Sequence, residues 1–255
     1  GRPGAEGGAS LRVAEGGSVI SCVGALRTYK ELLDKESLPD GPPKSIETLT
    51  EAEPMVHVFV GLRGSAADLG LPAADFWQLP NPDLEPESQE HVHIAFPCAS
   101  DPSWPRRFPG RSVAVVTLPA PDAARRNEET GLYEVLRDEG LLERALGRLG
   151  DRGLALLRRH FPEVQGQDEF LKVSRPFRPG LSHTTARYQC DDLRAYTCIP
   201  GLFLGGADLV GGGNLSLEGA VQGGWLAAHA ATGHTFSDLF LRRRSLPEDL
   251  RAAQQ

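Results

Sequence analysis

The apolar positions of the chain fall into short β-branched runs, set apart from one long stretch with helical spacing. Residues 18–23 (SVISCV), 55–62 (MVHVFVGL), 91–96 (HVHIAF) and 112–118 (SVAVVTL) are dense in Val and Ile and predict buried strands. Residues 75–79 form a weaker strand, and residues 170–173 are a candidate return strand. The runs between 55 and 118 are joined by proline-rich or polar loops (NPDLEPES, DPSWPRRFPGR) without crossover helices, which predicts an antiparallel sheet. Residues 131–161 read as helical throughout, as two helices broken near residues 147–150. Leu141, Leu142, Ala145, Leu146 and Leu149 form one apolar stripe, and Leu154, Leu156 and Leu157 the next; Pro162 ends the pattern.

Strand–turn–helix units stand at both ends. Residues 18–23 are followed by Gly24 and by 25–33 (ALRTYKELL), which have helical spacing; Ser45 is a candidate cap for a short helix running to Glu51. Near the other end, residues 199–233 (IPGLFLGGADLVGGGNLSLEGAVQGGWLAAHAATG) predict a short strand over 201–204, a glycine-rich turn closing on Asp208, and a long helix of small residues. Such glycines let a backbone approach a ligand, and a helix start offers free N–H groups and partial positive charge. Glycine count alone favours a plain joint. Three details favour a ligand site. Asp208 sits where the strand runs out, so its carboxylate can face a ligand hydroxyl. Asn214 or Ser216 can cap the helix. Gly219, Gly223 and Gly224 each cost about 1 kcal/mol of helix propensity against alanine, which predicts a helix pressed against something flat or another backbone. Gly233 is placed as a C′ residue, and residues 237–244 as a final amphipathic helix.

The αβ pieces at the two ends, with sheet and helices between, predict one domain made of 1–50 and 177–255, interrupted by a second over 51–176. The fold class is α/β, α+β overall. Composition is that of an ordinary globular protein, with 40% apolar and 24% charged residues in 255. A net charge of −7 with no basic stripe excludes nucleic acid as a partner. Arg242, Arg243 and Arg244 beside Phe236, Leu239, Phe240 and Leu241 suit peripheral contact with an anionic membrane, but are too short for an anchor. Cys22, Cys98, Cys190 and Cys198 make no CxxC pair, and the seven histidines make no HExxH, so no metal site is read. His91 and His93 lie on one face of a strand; Trp77, Trp104 and Phe108 are either the lining of an apolar cavity or ordinary anchors. No apolar run is long enough to span a bilayer, and no signal peptide is visible. The chain begins GRPGAEGG and its sole methionine is Met55, which predicts a fragment or a processed chain.

Four segments carry a resemblance: VISCVGALRTYKELL, VHVFVGLRGSAADLGL, HIAFPCASDPSWPRRFPGRS and PGLFLGGADL…GAVQGG. Together they resemble the C-terminal part of the retinol saturase (all-trans-retinol 13,14-reductase) family, within the phytoene desaturase and carotenoid isomerase group of flavoproteins. The third segment is the most specific, because core packing alone would not produce its loop residues. The resemblance implies the C-terminal part of an FAD-binding Rossmann-like domain interrupted by an antiparallel-sheet-plus-helix substrate domain. It implies FAD as cofactor, with NAD(P) as a candidate electron source, and an apolar polyene as substrate, reduced or isomerised at a conjugated C=C bond. It places Gly205, Gly206, Asp208, Gly213, Asn214, Leu215 and Ser216 at the cofactor, with Asp208 on a ribityl or phosphate-linked hydroxyl and residues 213–216 pointing N–H groups at the flavin. No catalytic side chain is named. No strand followed by GxGxxG occurs, so the pyrophosphate-binding half is expected outside this chain, and the isolated chain is expected to be inactive. Endoplasmic or plastid membranes are the expected location. The competing readings are a carotenoid desaturase, an amine-oxidase-like flavoenzyme, and a non-catalytic fragment that binds an apolar polyene or lipid.

Overall fold

A computed structural model describes residues 16–34, 36–79, 91–210 and 217–234. The chain divides into two compact units, one of Gly1–Thr50 with Gly180–Gln255 and one of Glu51–Pro179.

The Glu51–Pro179 unit is a five-stranded antiparallel sheet backed by one helix. Its strands β2 (Met55–Arg63), β3 (Phe76–Gln78), β4 (Val92–Ala95), β5 (Arg111–Pro119) and β8 (Asp168–Val173) lie in the order β3-β4-β5-β2-β8. The pairs are all antiparallel, as the loop-joined runs predict, and the return strand takes the edge beside β2. Alternation decides which face is packed. Val56, Val58, Val60 and Leu62 of β2, with Ala114, Val116 and Leu118 of β5, are essentially fully buried.

Helix α5 (Glu139–His160) lies on that face. Its N-cap is Asp138, whose carboxylate accepts the Leu141 N–H at 2.9 Å. The observed helix differs from the expected pair in two ways. It begins only at Glu139, because residues before it form β7 (Tyr133–Val135), a hairpin partner of β6 (Ala124–Arg126). It also runs unbroken through Gly147, Gly150 and Gly153. A Cβ on Gly150 would stand 2.7 Å from Leu171 Cδ2, and one on Gly153 would stand 2.8 Å from Val58 Cγ2. These two glycines let the helix press onto β8 and β2 rather than ending it. Leu142, Ala145, Leu149, Leu156 and Leu157 are buried, whereas Leu141 is 47% exposed and lies off the packed stripe.

The other unit holds a parallel pair, β1 (Val19–Ser21) with β9 (Leu202–Leu204). Helix α1 (Ala25–Arg27) continues into a π-helical stretch, Thr28–Leu32, so the expected helix over 25–33 is present with altered hydrogen bonding. Helix α2 (Lys44–Glu47) has Pro43 at its N-cap position, with no side-chain cap, and stops before Glu51. Ser45 does not cap it; its hydroxyl donates to the Asp192 carboxylate. Helix α7 (Leu217–Thr232) ends at Gly233, whose φ of 71° and N–H to His229 O at 2.8 Å fit the C′ role. The amphipathic stretch expected over 237–244 lies outside the described residues. Among the described residues, no helix is long and apolar enough to cross a membrane.

Candidate functional site

Because β1 and β9 run parallel, their carboxyl ends deliver residues 22–24 and 205–210 to one place. That is the position at which open α/β sheets bind ligands. The glycines there are required by geometry. Gly24 has φ 101° and Gly206 has φ 94°, both in the region that favours glycine. A Cβ on Gly205 would meet Cys22 Sγ at 3.0 Å. A Cβ on Gly223 would sit 1.8 Å from the carbonyl oxygen of Gly206. The helix is thus pressed against another backbone at Gly223, whereas Gly224 has nothing within 4 Å.

Asp208 is only 7% exposed. Its Oδ2 accepts the Ala25 N–H at 2.9 Å, and its Oδ1 accepts the Leu181 N–H at 3.1 Å. The carboxylate therefore ties the first residue of α1 and a remote loop to the turn. Gly24, at the N-cap, has no side chain to do this locally. Arg187, in α6 (Thr185–Tyr188), is 3% exposed. Its guanidinium donates to the carbonyls of Leu181 (2.8 Å), Ala207 (3.3 Å), Asp208 (3.2 Å) and Val210 (3.1 Å). Burial pulls this arginine below its ordinary range, and the Asp208 charge opposes that pull. Arg187 carries no sequence signal beyond lying in the polar segment 181–192; only the inward-facing carbonyls of the turn require it.

The structure thus brings Gly205, Gly206 and Asp208 together with Gly24 and Gly223. Gly213, Asn214, Leu215 and Ser216 lie outside the described residues. Asp208 and Arg187 are both engaged internally, and so is the buried Gly205, whose N–H donates to Ser21 O at 2.8 Å; Gly24 and Gly206 are partly exposed.

On the sheet unit, the face away from α5 carries a polar row. The registers set Trp77 beside His93, His93 beside Thr117, and Thr117 beside His57. Trp77 stacks on His93 with centroids 4.2 Å apart, and His93 Nε2 lies 3.1 Å from Asp75 Oδ2 without hydrogen-bond geometry. His57 Nδ1 and Thr117 Oγ1 are 2.9 Å apart, and the imidazole stacks on Phe177 at 4.5 Å. Burial, and secondarily the neighbouring His93, hold His57 below the usual imidazole range. His91 lies outside the strand and is exposed. The expected grouping of Trp77, Trp104 and Phe108 separates, Trp77 standing apart from the other two. Trp77 belongs to the polar row, while Trp104 and Phe108 pack at 4.6 Å with Arg107 over both rings. Among the described residues, no three metal-ligating side chains converge.

Fold and turn define a mixed α/β chain of two units: a parallel-strand unit with a backbone-lined turn, and an antiparallel sheet backed by a helix. The chain is related to the all-trans-retinol 13,14-reductases. It is 27% identical to the Homo sapiens protein of that name over 250 residues, 83% of this chain. It is 27% identical to the Rattus norvegicus protein over 266 residues, 92% of this chain. A Danio rerio relative named inactive all-trans-retinol 13,14-reductase is 25% identical over 269 residues, 89% of this chain. The matched region spans 39–42% of the length of these relatives. No protein-family model matches the chain.

Proposed function

We propose that the chain is part of an FAD-dependent oxidoreductase that reduces a conjugated C=C bond of a retinoid or carotenoid. The observation that carries this reading is the meeting of Gly24, Gly205 and Gly206 at the carboxyl ends of the parallel β1–β9 pair, in a chain related to retinol reductases. FAD, when bound, supplies hydride transfer to or from carbon. The chain's own residues act by position. Gly24 and Gly206, both partly exposed, present main chain to the cofactor, and the buried Gly205 lets the strand end pack against Cys22. Asp208 and Arg187 hold the shape of the turn from behind, a change from the ligand-facing role expected of Asp208. Gly213, Asn214, Leu215 and Ser216 are the proposed lead into the α7 N-terminus at the flavin. The sheet unit is the proposed home of the apolar polyene. NAD(P) as electron source and peripheral contact with endoplasmic or plastid membranes belong to the same proposal.

The test is an absorption spectrum of the purified full-length protein supplemented with FAD. It is paired with anaerobic incubation with all-trans-retinol or a carotene, with NAD(P)H or chemically reduced flavin supplying the two electrons, and chromatography of the products. The reading expects retained flavin and a retinol product gaining two hydrogens. Absence of flavin with unchanged retinol overturns it. The relative named inactive supports a second reading, a non-catalytic binder of the same class of molecule. That reading expects retinol to be bound and recovered unchanged.

A further inference from the structure

On the sheet face away from α5, the strand registers lay out three rows. The first is Trp77–His93–Thr117–His57, the second Ala95–Val115–Phe59, and the third Val113–Gly61–Phe170. The first row is polar throughout. The second is apolar and half-buried as far as Phe59, beyond which the register sets the exposed Lys172 of β8, and in the third the Phe170 ring lies directly over Gly61, where a Cβ would stand 2.0 Å from Cε1. At 3.3–3.4 Å per residue, the three rows span about 13 Å along β5. The face is thus an apolar strip between two polar ends, the Trp77–His93–Thr117–His57 row at one and the ion pairs of Arg63 and Arg111 with Glu169 at the other.

His57 is the group best prepared at that end. Thr117 fixes its Nδ1, Phe177 stacks on one side, and the Phe59 ring lies 5.9 Å away. Its Nε2 has no partner among the described residues, although the ring is held in place. An imidazole oriented through one nitrogen and open at the other is prepared to meet a ligand there. The hydroxyl of an alcohol suits either tautomer, because it both donates and accepts. An ether oxygen suits only one tautomer, and a hydrocarbon suits neither.

Resting on the retinol reductase-like reading above, we infer that His57, oriented by Thr117, anchors the hydroxyl of a rod-shaped apolar alcohol whose body lies along Val115, Phe59 and Phe170. His57 is a specificity-determining residue, and Thr117 is the residue that positions it.

The test titrates the full-length protein with all-trans-retinol and with the hydrocarbon lacking its hydroxyl, following energy transfer from tryptophan. Wild type should favour the alcohol by about five- to tenfold, the worth of one hydrogen bond. His57→Phe, which keeps the aromatic stack, should abolish that preference while leaving hydrocarbon affinity within about twofold. His57→Gln, which keeps a donor and an acceptor, should retain part of it. Thr117→Val should reduce it. An undiminished alcohol preference in folded His57→Phe overturns the inference, as does equal affinity of wild type for the two probes. FAD uptake is scored in the same samples and should not change in any of these variants. Alcohol preference without flavin uptake supports the anchor and removes only the cofactor reading. Flavin uptake without alcohol preference removes only the anchor.

Discussion

Helices α5 and α7 both bury glycines, but the glycines meet different things. On α5, Gly153 faces the side chain of Val58, and Gly150 faces those of Leu171 and Val173. On α7, Gly223 faces the carbonyl of Gly206 at a distance no Cβ can occupy. Side chains rotate and sheets shift by tenths of an ångström, whereas a backbone held at both ends does not. The sheet unit is therefore built on adjustable side-chain packing. The parallel-strand unit fixes its turn by main-chain contact and by the buried groups Asp208 and Arg187.

The largest expected effect breaks the second arrangement. Gly223→Ala should destabilise the parallel-strand unit by roughly 3 kcal/mol or more, because α7 or the turn must move to admit the methyl group. Hydrogen exchange read by region checks this. Amides of β1 and β9 should lose protection, while those of β2 and β5 keep it. Equal loss in both units would erase the distinction drawn here. The adjacent Gly224→Ala is the control, since nothing lies within 4 Å of its Cβ position. It should stabilise by about 0.5–1 kcal/mol through helix propensity.

Next comes the buried charge. Asp208→Asn keeps the shape but turns an NH2 group toward one of two backbone N–H donors. It should cost about 2 kcal/mol, within the range for a buried group left unsatisfied. Arg187→Met leaves four carbonyls without that donor and removes the charge beside Asp208. The double variant should lose less than the sum of the single ones, by about 1 kcal/mol, because the two residues brace one turn. Additive losses in urea unfolding would show that they act separately.

How much of this was legible follows the range of the interactions. The strands of the sheet unit announced themselves, because β-branched alternation is local and the core lies under one face. The close approach at Gly223 was legible too, since only tight contact rewards glycine inside a helix. The position of Asp208 could be read, but its direction could not. Its partners Ala25 and Leu181 lie 183 and 27 residues away. The same distance hid the reason for Gly150 and Gly153. Read alone they suggest a break, and only Val58, Leu171 and Val173 turn them into packing sites. His57 was absorbed into an apolar strand, because alternation places it on a face without saying what stands beside it.

The adjustable unit yields a smaller effect. Gly153→Ala gains helix propensity of about 1 kcal/mol and loses about 1–3 kcal/mol to overpacking against Val58. The net should be a destabilisation of about 1 kcal/mol, well below that of Gly223→Ala. Gly147→Ala, with nothing within 4 Å, should instead stabilise. If Gly153→Ala proves as damaging as Gly223→Ala, the β2 side chains are as immobile as the backbone of the turn.

The smallest effect is pH dependence, to which histidines of both units contribute. In the sheet unit, burial holds both His57 and His160 below the ordinary imidazole range, with the charges of His93 and Arg159 adding to it. His57 faces Thr117, Phe177 and His93, while His160 faces Phe76 and Gln78. A depressed folded-state value means that the unfolded chain takes the proton first as pH falls. The stability from these two groups is therefore full above about pH 6.5, the ordinary imidazole value, and is lost as pH falls from there through the depressed values. Asp168, held low by its bond to Arg158, adds a further loss only at more acid pH. Both imidazoles are partly exposed, so the slope should be shallow. Thermal unfolding between pH 7.5 and about 5, with hydrogen exchange assigning the loss to β2 and α5, should show it. His57→Gln with His160→Gln should reduce it, leaving the part due to His183. An unchanged slope in that variant would move the acid sensitivity to the other unit, where burial and the Arg187 charge depress His183 in the same way.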